Sequence, residues 1–308
     1  MEVYKKIEDA LLKVKAGSVV SIGNFDGVHI GHRALIEKLV NKSKELKVPS
    51  VILTFEPHPL KVIAGKCPPV ITPIKQKLEL LQQLGVDITI CLEFTKDLAA
   101  VSAEDFVMKY LIPLNVREII VGYDYRFGKN RQGDYSLIKK LGQKLGFNVH
   151  QVGPVYFEDE IVSSTRIRTL VQEGKVKDVV PMLGRYYQVF GKVEEGHKRG
   201  GRLLGIPTAN LNLIDELVPK TGVYAVFAEY EGKRLKGVAN VGYNPTFGNQ
   251  VLSVEVHIFD FNKEIYGEEL RVHFVDRIRS EKRFSSIDEL KKQIMKDIEK
   301  AKDILKNG

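Results

Sequence analysis

Two histidines three residues apart, His29 and His32, are the side chains of this sequence best suited to chemistry on a phosphate. They close a ten-residue string at positions 23–32, which reads GNFDGVHIGH. Side chains at this spacing project from one face of a helix, and an imidazole N–H can donate a hydrogen bond to a phosphate oxygen. The pair could therefore stabilise the charge that develops on an α-phosphate and a departing pyrophosphate.

The residues on either side of this string predict the elements that position it. An apolar run at 19–22 precedes it and an amphipathic stretch at 33–47 follows, which is the pattern of a strand, a tight turn and a helix. The first N–H groups of a helix have no partner within the helix and attract anions. The alternative is a capped turn that carries two surface histidines, and the glycine-rich lead-in argues against it.

Two more polar segments, residues 54–59 and 122–128, each complete or follow an apolar run. Because ligands bind beyond the carboxyl ends of parallel strands, these segments and the histidine string should converge on one edge of a sheet. Asp26 and Asp124 could hold a ribose or a metal ion there, or each could be an ordinary turn residue.

A further segment, residues 163–168, reads SSTRIR and opens another predicted helix. Its hydroxyls, N–H groups and arginines would form a second phosphate clamp. Ser164 could equally be a simple helix cap, and spacing alone does not separate the two interpretations.

The first half of the chain alternates apolar runs with helical patterns, which predicts βαβ units and a parallel sheet covered by helices. Thr72 is expected to cap a helix with Pro73 at its first position, and Ser102 to cap the next helix. The remaining predicted strands are 51–55, 88–92, 118–121 and 149–152, and the helices are 72–84, 102–112 and 135–145.

After about Gly184 the pattern changes to strands without intervening helices, which predicts an antiparallel barrel. An amphipathic helix at 287–305 follows, with Ser286 and Glu289 as a capping box. We therefore predict a Rossmann-like α/β domain with a parallel sheet over 1–184, and a β-barrel domain with a C-terminal helix over 185–308. The predicted barrel strands are 188–193, 223–230, 235–241, 252–259 and 270–275.

The composition fits this organisation. With 308 residues, the chain exceeds the size at which one core usually keeps growing. The net charge of +8 suits anionic ligands, although a solvated lysine-rich surface is the commoner cause. The two cysteines cannot build a metal cluster of their own or a disulfide framework, and they fit a cytoplasmic location. Neither a signal peptide nor an apolar run of ~18 residues is recognised, so no membrane role is expected.

In the second half, residues 200–210 form a glycine-rich segment that leads to small polar side chains, and it matches no Walker pattern. Glu255 lies in a predicted strand whose apolar row is formed by the alternate positions 252, 254, 256 and 258. Its carboxylate therefore points away from that row. It could be a general base for a hydroxyl nucleophile or an ordinary solvent-facing glutamate, and spacing alone leaves both open.

Taken together, these strings resemble the bacterial bifunctional riboflavin kinase/FAD synthetase family over nearly the whole chain. The family's adenylyltransferase module, a member of the nucleotidyltransferase superfamily, is matched by 23–32, 54–59, 122–128 and 163–168. Its riboflavin kinase module is matched by 201–210, 219–225, 240–247, 255–261 and 277–284.

The resemblance implies two reactions, both with ATP and Mg²⁺. The barrel would transfer the γ-phosphoryl group of ATP to the ribityl 5′-hydroxyl of riboflavin, which gives FMN. The N-terminal domain would let the FMN phosphate attack the α-phosphorus of a second ATP, which gives FAD and pyrophosphate. Positioning and charge neutralisation dominate such transfers.

The resemblance also implies the residues of each site. Glu255 would be the kinase base, and Thr208 and Asn210 would organise Mg-ATP, with Gly205 nearby. The ATP of the adenylyltransferase site would be held by Gly23, Phe25, Asp26, His29, His32, Asp124, Ser164, Thr165 and Arg168. Flavin contacts are suggested for Phe247, Arg279 and Phe284, each of which could instead be a core residue or a fold-stabilising ion partner.

Two other functions are weighed against this one. A truncated aminoacyl-tRNA synthetase relative could use the same histidine string, but a second signature loop and a tRNA-binding domain are not recognised. A basic RNA-binding protein could use residues 199–202, but one such triplet without aromatic interleaving is weak support. We therefore expect small-molecule partners, without nucleic acid or membrane, and make no prediction of oligomeric state.

Overall fold

A computed structural model of the chain describes residues 1–194, 206–213, 216–246 and 249–307. The chain divides into two compact units, an N-terminal unit, Met1–Ser164, and a C-terminal unit, Thr165–Gly308. The boundary expected after residue 184 stays a prediction.

The N-terminal unit is built on a parallel sheet of six strands in the order β1-β4-β3-β2-β5-β6. Its central strands are almost fully buried, as expected for a sheet covered on both faces. The parallel α/β prediction is therefore confirmed, although the short edge strand β1 was not predicted. The strands are β1 (Glu2–Tyr4), β2 (Ser18–Ile22), β3 (Ser50–Glu56), β4 (Ile88–Glu93), β5 (Val116–Gly122) and β6 (Asn148–Val152).

Helices connect these strands, and two of their starts test the capping predictions. Ser102 accepts a hydrogen bond from the Asp105 N–H at 3.0 Å, so that cap is confirmed. Thr72 was the wrong residue, because the next helix begins at Ile74 with Pro73 as its cap. The helices are α1 (Ile30–Leu46), α2 (Pro59–Ala64), α3 (Ile74–Gln83), α4 (Lys96–Ala99), α5 (Ala103–Phe106), continued by π and 3-10 turns to Leu114, and α6 (Tyr135–Leu145). A two-stranded hairpin, β7 (Tyr156–Phe157) and β8 (Glu160–Ile161), precedes α7 (Ser164–Gln172).

The C-terminal unit is a closed barrel of six antiparallel strands in the order β10-β13-β12-β11-β14-β9. This confirms the barrel prediction, and β10 is a strand that the sequence reading did not identify. The elements are α8 (Val180–Leu183), β9 (Tyr187–Glu194), β10 (Ala209–Asn212), β11 (Gly222–Tyr230), β12 (Lys233–Thr246), β13 (Asn249–Ile258), β14 (Glu269–Arg279) and α9 (Ile287–Ile304).

The last helix covers one outer face of the barrel. Ile298 and Ala301 of α9 pack with Val223, Ala225 and Phe227 of β11 in one apolar cluster. Ser286 caps α9 by accepting a hydrogen bond from the Glu289 N–H at 3.2 Å, as predicted. The Glu289 carboxylate accepts from the Ser285 N–H at 3.0 Å, one residue before the position that a capping box uses. Burying this apolar stripe is what holds the helix on the barrel.

Candidate active sites

The turn between β2 and α1 brings the two histidines into contact. His29 is the N-cap of α1, and its Nδ1 accepts a hydrogen bond from the His32 N–H at 3.3 Å. The two rings stack with centroids 3.7 Å apart and planes inclined by 19°. In its neutral form His29 therefore carries its proton on Nε2, at the start of the helix.

Backbone conformation in this turn is unusual and shapes the histidine pair. Phe25 and Val28 have positive φ values of 49° and 38°, which is rare for residues with a Cβ atom and rarest for β-branched ones. The ring of Phe25 packs edge-on against the His32 ring, with 5.4 Å between the two ring centres. A Cβ atom at Gly31 would come within 3.1 Å of the His29 ring, so the glycine lets that ring lie over the helix start.

His32 is neutral at physiological pH. Burial lowers its pKa well below 6.5, and the charges of His29 and Lys77 lower it further. Its Nδ1 is buried and has no hydrogen-bond partner among the described residues. The imidazole can therefore donate one hydrogen bond to an oxyanion, but it brings no full positive charge.

Asp26 is buried and organises the backbone of the histidine turn, which is the segment 23–29 between β2 and α1. Its Oδ1 accepts hydrogen bonds from the N–H groups of Ile71 and Thr72, both at 3.0 Å. The Ser164 hydroxyl donates to the Asp26 carbonyl oxygen at 2.8 Å, so these two predicted site residues lie together. These contacts make Asp26 an anchor of the segment before α3, and its role toward ribose or a metal stays a prediction.

The other predicted residues of this site are distributed over three elements. Gly23 donates from its N–H to the Leu53 carbonyl at 3.1 Å, which ties the turn to β3. Asp124 is exposed and follows β5 at the same sheet edge. Thr165 and Arg168 lie on the first two turns of α7. Their contact with ATP stays a prediction.

Lys77 is a buried cation near this turn that the sequence reading missed. Only 3% of it is exposed, and burial lowers its pKa, against the opposing charges of Asp26 and Glu56. A signal was available in the helical spacing. Lys77 precedes the fully buried Leu81 by four residues, so both lie on the inward face of α3.

In the barrel, strand register places three polar residues in a row. Glu255 of β13 lies opposite Asn210 of β10 on one side and Asn240 of β12 on the other. Residues directly opposite each other project on the same face with Cβ atoms ~5 Å apart. Val254 and Val256 are buried on the other face, as the period-two pattern predicted, and Glu255 is half-buried. Asn240 was not predicted as a site residue, because only the register between strands brings it to Glu255.

The segment before β10 is fixed next to this row. The Pro207 carbonyl and the His257 Nδ1 are 2.9 Å apart, which joins the residue before Thr208 to β13. The Asn210 Oδ1 is buried and has no hydrogen-bond partner among the described residues. Amide, hydroxyl and carboxylate oxygens are the ligands that Mg²⁺ prefers, so Asn210 and Thr208 fit that ion.

Arg279 is an ion partner within the fold. Its Nε lies 3.0 and 2.9 Å from the two carboxylate oxygens of the buried Asp297, and its Nη2 lies 2.8 Å from Oδ2. Its guanidinium also lies 5.7 Å from the ring centre of Phe284, so the structure brings these two predicted residues together. Their contact with flavin stays a prediction. Gly205 and Phe247 lie outside the described residues.

The fold thus defines a chain of two dissimilar parts, a parallel α/β unit with a histidine pair at a helix start and a barrel with a polar row across its strands. Two family models match these parts, FAD synthetase at residues 12–166 and riboflavin kinase at residues 183–305. The chain belongs to the bifunctional riboflavin kinase/FMN adenylyltransferase family.

Relatives of established name match along almost the whole chain. A bifunctional riboflavin kinase/FMN adenylyltransferase of Buchnera aphidicola is 39% identical and covers 94% of each chain. The protein of that name from Bacillus subtilis is 38% identical and covers 93% of this chain and 92% of its own.

A crystal structure from Streptococcus pneumoniae, titled as a macrolide-efflux protein, has a TM-score of 0.87 and 33% identity, and it covers 98% of both chains. Its likeness supports the fold described above. Within the described part of our chain, no helix combines the length and apolar character needed to cross a bilayer.

Proposed function

We propose that the barrel phosphorylates riboflavin to FMN and that the N-terminal unit adenylylates FMN to FAD, with ATP and Mg²⁺ used by both reactions. The observation that carries this proposal is the separation of two polar clusters. The Asn210–Glu255–Asn240 row lies in the C-terminal unit, and the stacked His29–His32 pair lies in the N-terminal unit. Each cluster suits one of the two transfers.

In the kinase step, Glu255 would accept the proton of the ribityl 5′-hydroxyl as that oxygen attacks the γ-phosphorus and ADP leaves. Asn210 and Asn240 flank its carboxylate and would limit its orientations. Thr208 and Asn210 would hold Mg²⁺, which when bound neutralises phosphate charge. Half-burial of Glu255 supports this role over that of a solvent-facing glutamate.

In the adenylyltransferase step, an FMN phosphate oxygen would attack the α-phosphorus, and the α–β bridging oxygen would leave with pyrophosphate. The N–H groups at the start of α1 and the Nε2 proton of His29 would donate to the α-phosphate oxygens. His32 would donate one further hydrogen bond. Because these donors are fixed by the stacked rings and the cap, they need little rearrangement when charge develops.

The proposal extends to surroundings and partners. Small molecules would be the partners, since both family activities act on flavins. The cytoplasm is the proposed location, which the reduced thiols of Cys67 and Cys91 fit.

The test is chromatography of riboflavin, FMN and FAD after incubation of the purified chain with Mg-ATP. Glu255→Gln should lower FMN formation from riboflavin by ~10²–10⁴-fold and leave FAD formation from added FMN intact. His29→Asn with His32→Asn should have the reverse effect. Each variant is thus the folding control for the other, and equal loss of both steps in both variants would contradict the assignment of two sites.

A further inference from the structure

Lys77 carries a buried ammonium group next to the histidine turn, and neither of the two proposed transfer steps uses it. We infer that Lys77 binds the pyrophosphate portion of ATP in the adenylyltransferase site and neutralises the charge that this portion gains as it leaves. The inference rests on the proposed adenylyltransferase function and adds a catalytic cation to it.

The local fold directs Lys77 toward the histidine turn. The N–H groups of Ile71 and Thr72 are bound to the Asp26 carboxylate, so the segment before α3 is fastened to the turn between β2 and α1. α3 starts two residues later, and Lys77 lies one turn into it, with its N–H bonded to the Pro73 carbonyl at 2.9 Å. At 3% exposure, its side chain is enclosed on the inward face of that helix.

The charge of Lys77 is poorly compensated in the free protein. Burying an ammonium group is costly unless an anion lies beside it, and Lys77 has no hydrogen bond or ion pair of its side chain with any described residue. The opposing charges that act on Lys77 include those of Asp26 and Glu56, but Asp26 already accepts backbone N–H groups and Glu56 is exposed. As a result, burial leaves the pKa of Lys77 below its usual value. An arriving polyanion would supply the missing partner.

Other buried polar atoms near Lys77 also have no partner. The Thr72 hydroxyl, the Gln76 amide oxygen and the His32 Nδ1 are buried and make no hydrogen bond to the described residues. Such atoms are normally satisfied in a folded protein. The Thr72 hydroxyl and the His32 Nδ1 could each donate a hydrogen bond to a phosphate oxygen, and a water bound to that phosphate could donate to the Gln76 amide oxygen.

The chemistry of the step favours a protein cation beside the leaving group, in addition to Mg²⁺. When the bond between the α-phosphorus and the bridging oxygen breaks, that oxygen takes the electron pair, and pyrophosphate leaves with added negative charge. His32 cannot neutralise it at physiological pH, because its pKa lies well below 6.5. A compact ammonium group is well suited to bind a phosphate as a point charge.

The experiment compares Lys77→Met, Lys77→Gln and Lys77→Arg with Lys75→Met in the full-length chain. Lys75 lies on the same helix but is exposed, so its variant controls for the loss of one positive charge. The readouts are kcat and KM for FAD synthesis, and KM for pyrophosphate and for FAD in the reverse reaction. FMN formation from riboflavin in each preparation reports on the folding of the other unit, and thermal unfolding reports on the whole chain.

Lys77→Met and Lys77→Gln should raise the KM for pyrophosphate by about 10- to 100-fold, the value of one charge-assisted hydrogen bond, and leave the KM for FAD nearly unchanged. Lys77→Arg should recover part of this loss, and Lys75→Met should match the wild type. An unchanged KM for pyrophosphate in both neutral variants would overturn the inference. A loss of kcat that Lys77→Arg does not restore would also overturn the inference, because Lys77 would then only hold Asp26 in position. A wild-type chain that makes no FAD would instead refute the proposed function.

Discussion

Glu216 shows how strongly position can change the chemistry of one residue. It lies between β10 and β11, and only 8% of it is exposed. Its Oε2 accepts a long hydrogen bond from the Phe190 N–H at 3.4 Å, and its Oε1 has no partner among the described residues. Burial raises its pKa to about 8, so the side chain is mostly protonated at neutral pH.

The raised pKa predicts how stability depends on pH. The protonated form favours the folded state, so its contribution is complete below the unfolded pKa of 4.5 and is lost as pH rises through about 8. Glu216→Gln, which resembles the protonated acid and does not titrate, should be more stable than the wild type at pH 8.5 by ~1–3 kcal/mol. At pH 5 the two proteins should be nearly equal.

Urea unfolding at pH 5 and pH 8.5 measures the difference in stability between Glu216→Gln and the wild type. Glu268→Gln, at an exposed position, controls for the loss of a carboxylate. If the stability gained by Glu216→Gln over the wild type were no larger at pH 8.5 than at pH 5, Glu216 would be ionised in the folded protein at neutral pH, and its pKa would not be raised.

Buried charged residues such as Glu216 are the part of the structure that the sequence could not predict. His29 and His32 could be singled out as candidates because their immediate neighbours define a turn before a helix. The alternating strand pattern left the role of Glu255 open, and the family resemblance suggested it; all three roles stay predictions. Lys77 and Glu216 carry side chains that are usually exposed. Helical spacing puts Lys77 on the same face as Leu81, but that spacing does not show that the tertiary fold encloses its charged end, and nothing local indicates the burial of Glu216. Burial of a charge depends on packing between distant segments, so it emerges only from the structure.

Among the elements, α9 and β14 are joined by the buried ion pair of Arg279 and Asp297. Gln293 adds a hydrogen bond to the same carboxylate at 2.9 Å. Arg279→Met would leave Asp297 as an uncompensated buried charge, and the free energy of unfolding should fall by ~3–5 kcal/mol. Adding Asp297→Leu should restore most of this stability, because it removes the stranded carboxylate. Denaturant unfolding of the two single variants and the double variant measures the coupling.

The same double variant separates the two roles considered for Arg279. If the arginine serves only the fold, the stabilised double variant should have a wild-type KM for riboflavin. A raised KM in a stable double variant would indicate that Arg279 also contacts flavin. Equal stability of Arg279→Met and the wild type would contradict the structural role.

Helices and strands were predicted well where a hydrophobic pattern continues over the whole element. They were predicted poorly where a contact with a distant segment determines where the element begins. α6, for example, spans Tyr135–Leu145 as its amphipathic pattern indicated. α3 starts later than expected, because the Thr72 N–H is bound by Asp26 from a distant turn. The strand β10 has only four residues, Ala209–Asn212, and two of them are asparagines, a residue type that is depleted in strands, so the segment gave no β signal.

At the scale of the whole molecule, the residues proposed for the kinase base and for the histidine pair belong to different compact units. The switch from alternating helices and strands to strands alone made this division visible in the sequence. The pattern places the boundary after residue 184, which stays a prediction, because α7 and α8 continue the helical character beyond Ser164. The product of the barrel is the substrate of the N-terminal unit, so the reactions run in the opposite order to the two parts of the chain.

This division predicts that two defective chains can complement each other in solution. A mixture of Glu255→Gln with the His29→Asn, His32→Asn variant contains one intact site of each kind for every two chains. If FMN leaves the barrel before it is adenylylated, this mixture at twice the total protein concentration should convert riboflavin to FAD with the time course of the wild type.

A transient rise of FMN should precede FAD in both reactions, because the intermediate must accumulate before the second site fills. Sampling both reactions by chromatography measures this, with each variant alone as the control. A mixture that accumulates FMN but lags well behind the wild type in FAD would contradict release, and would mean that FMN passes between sites within one chain.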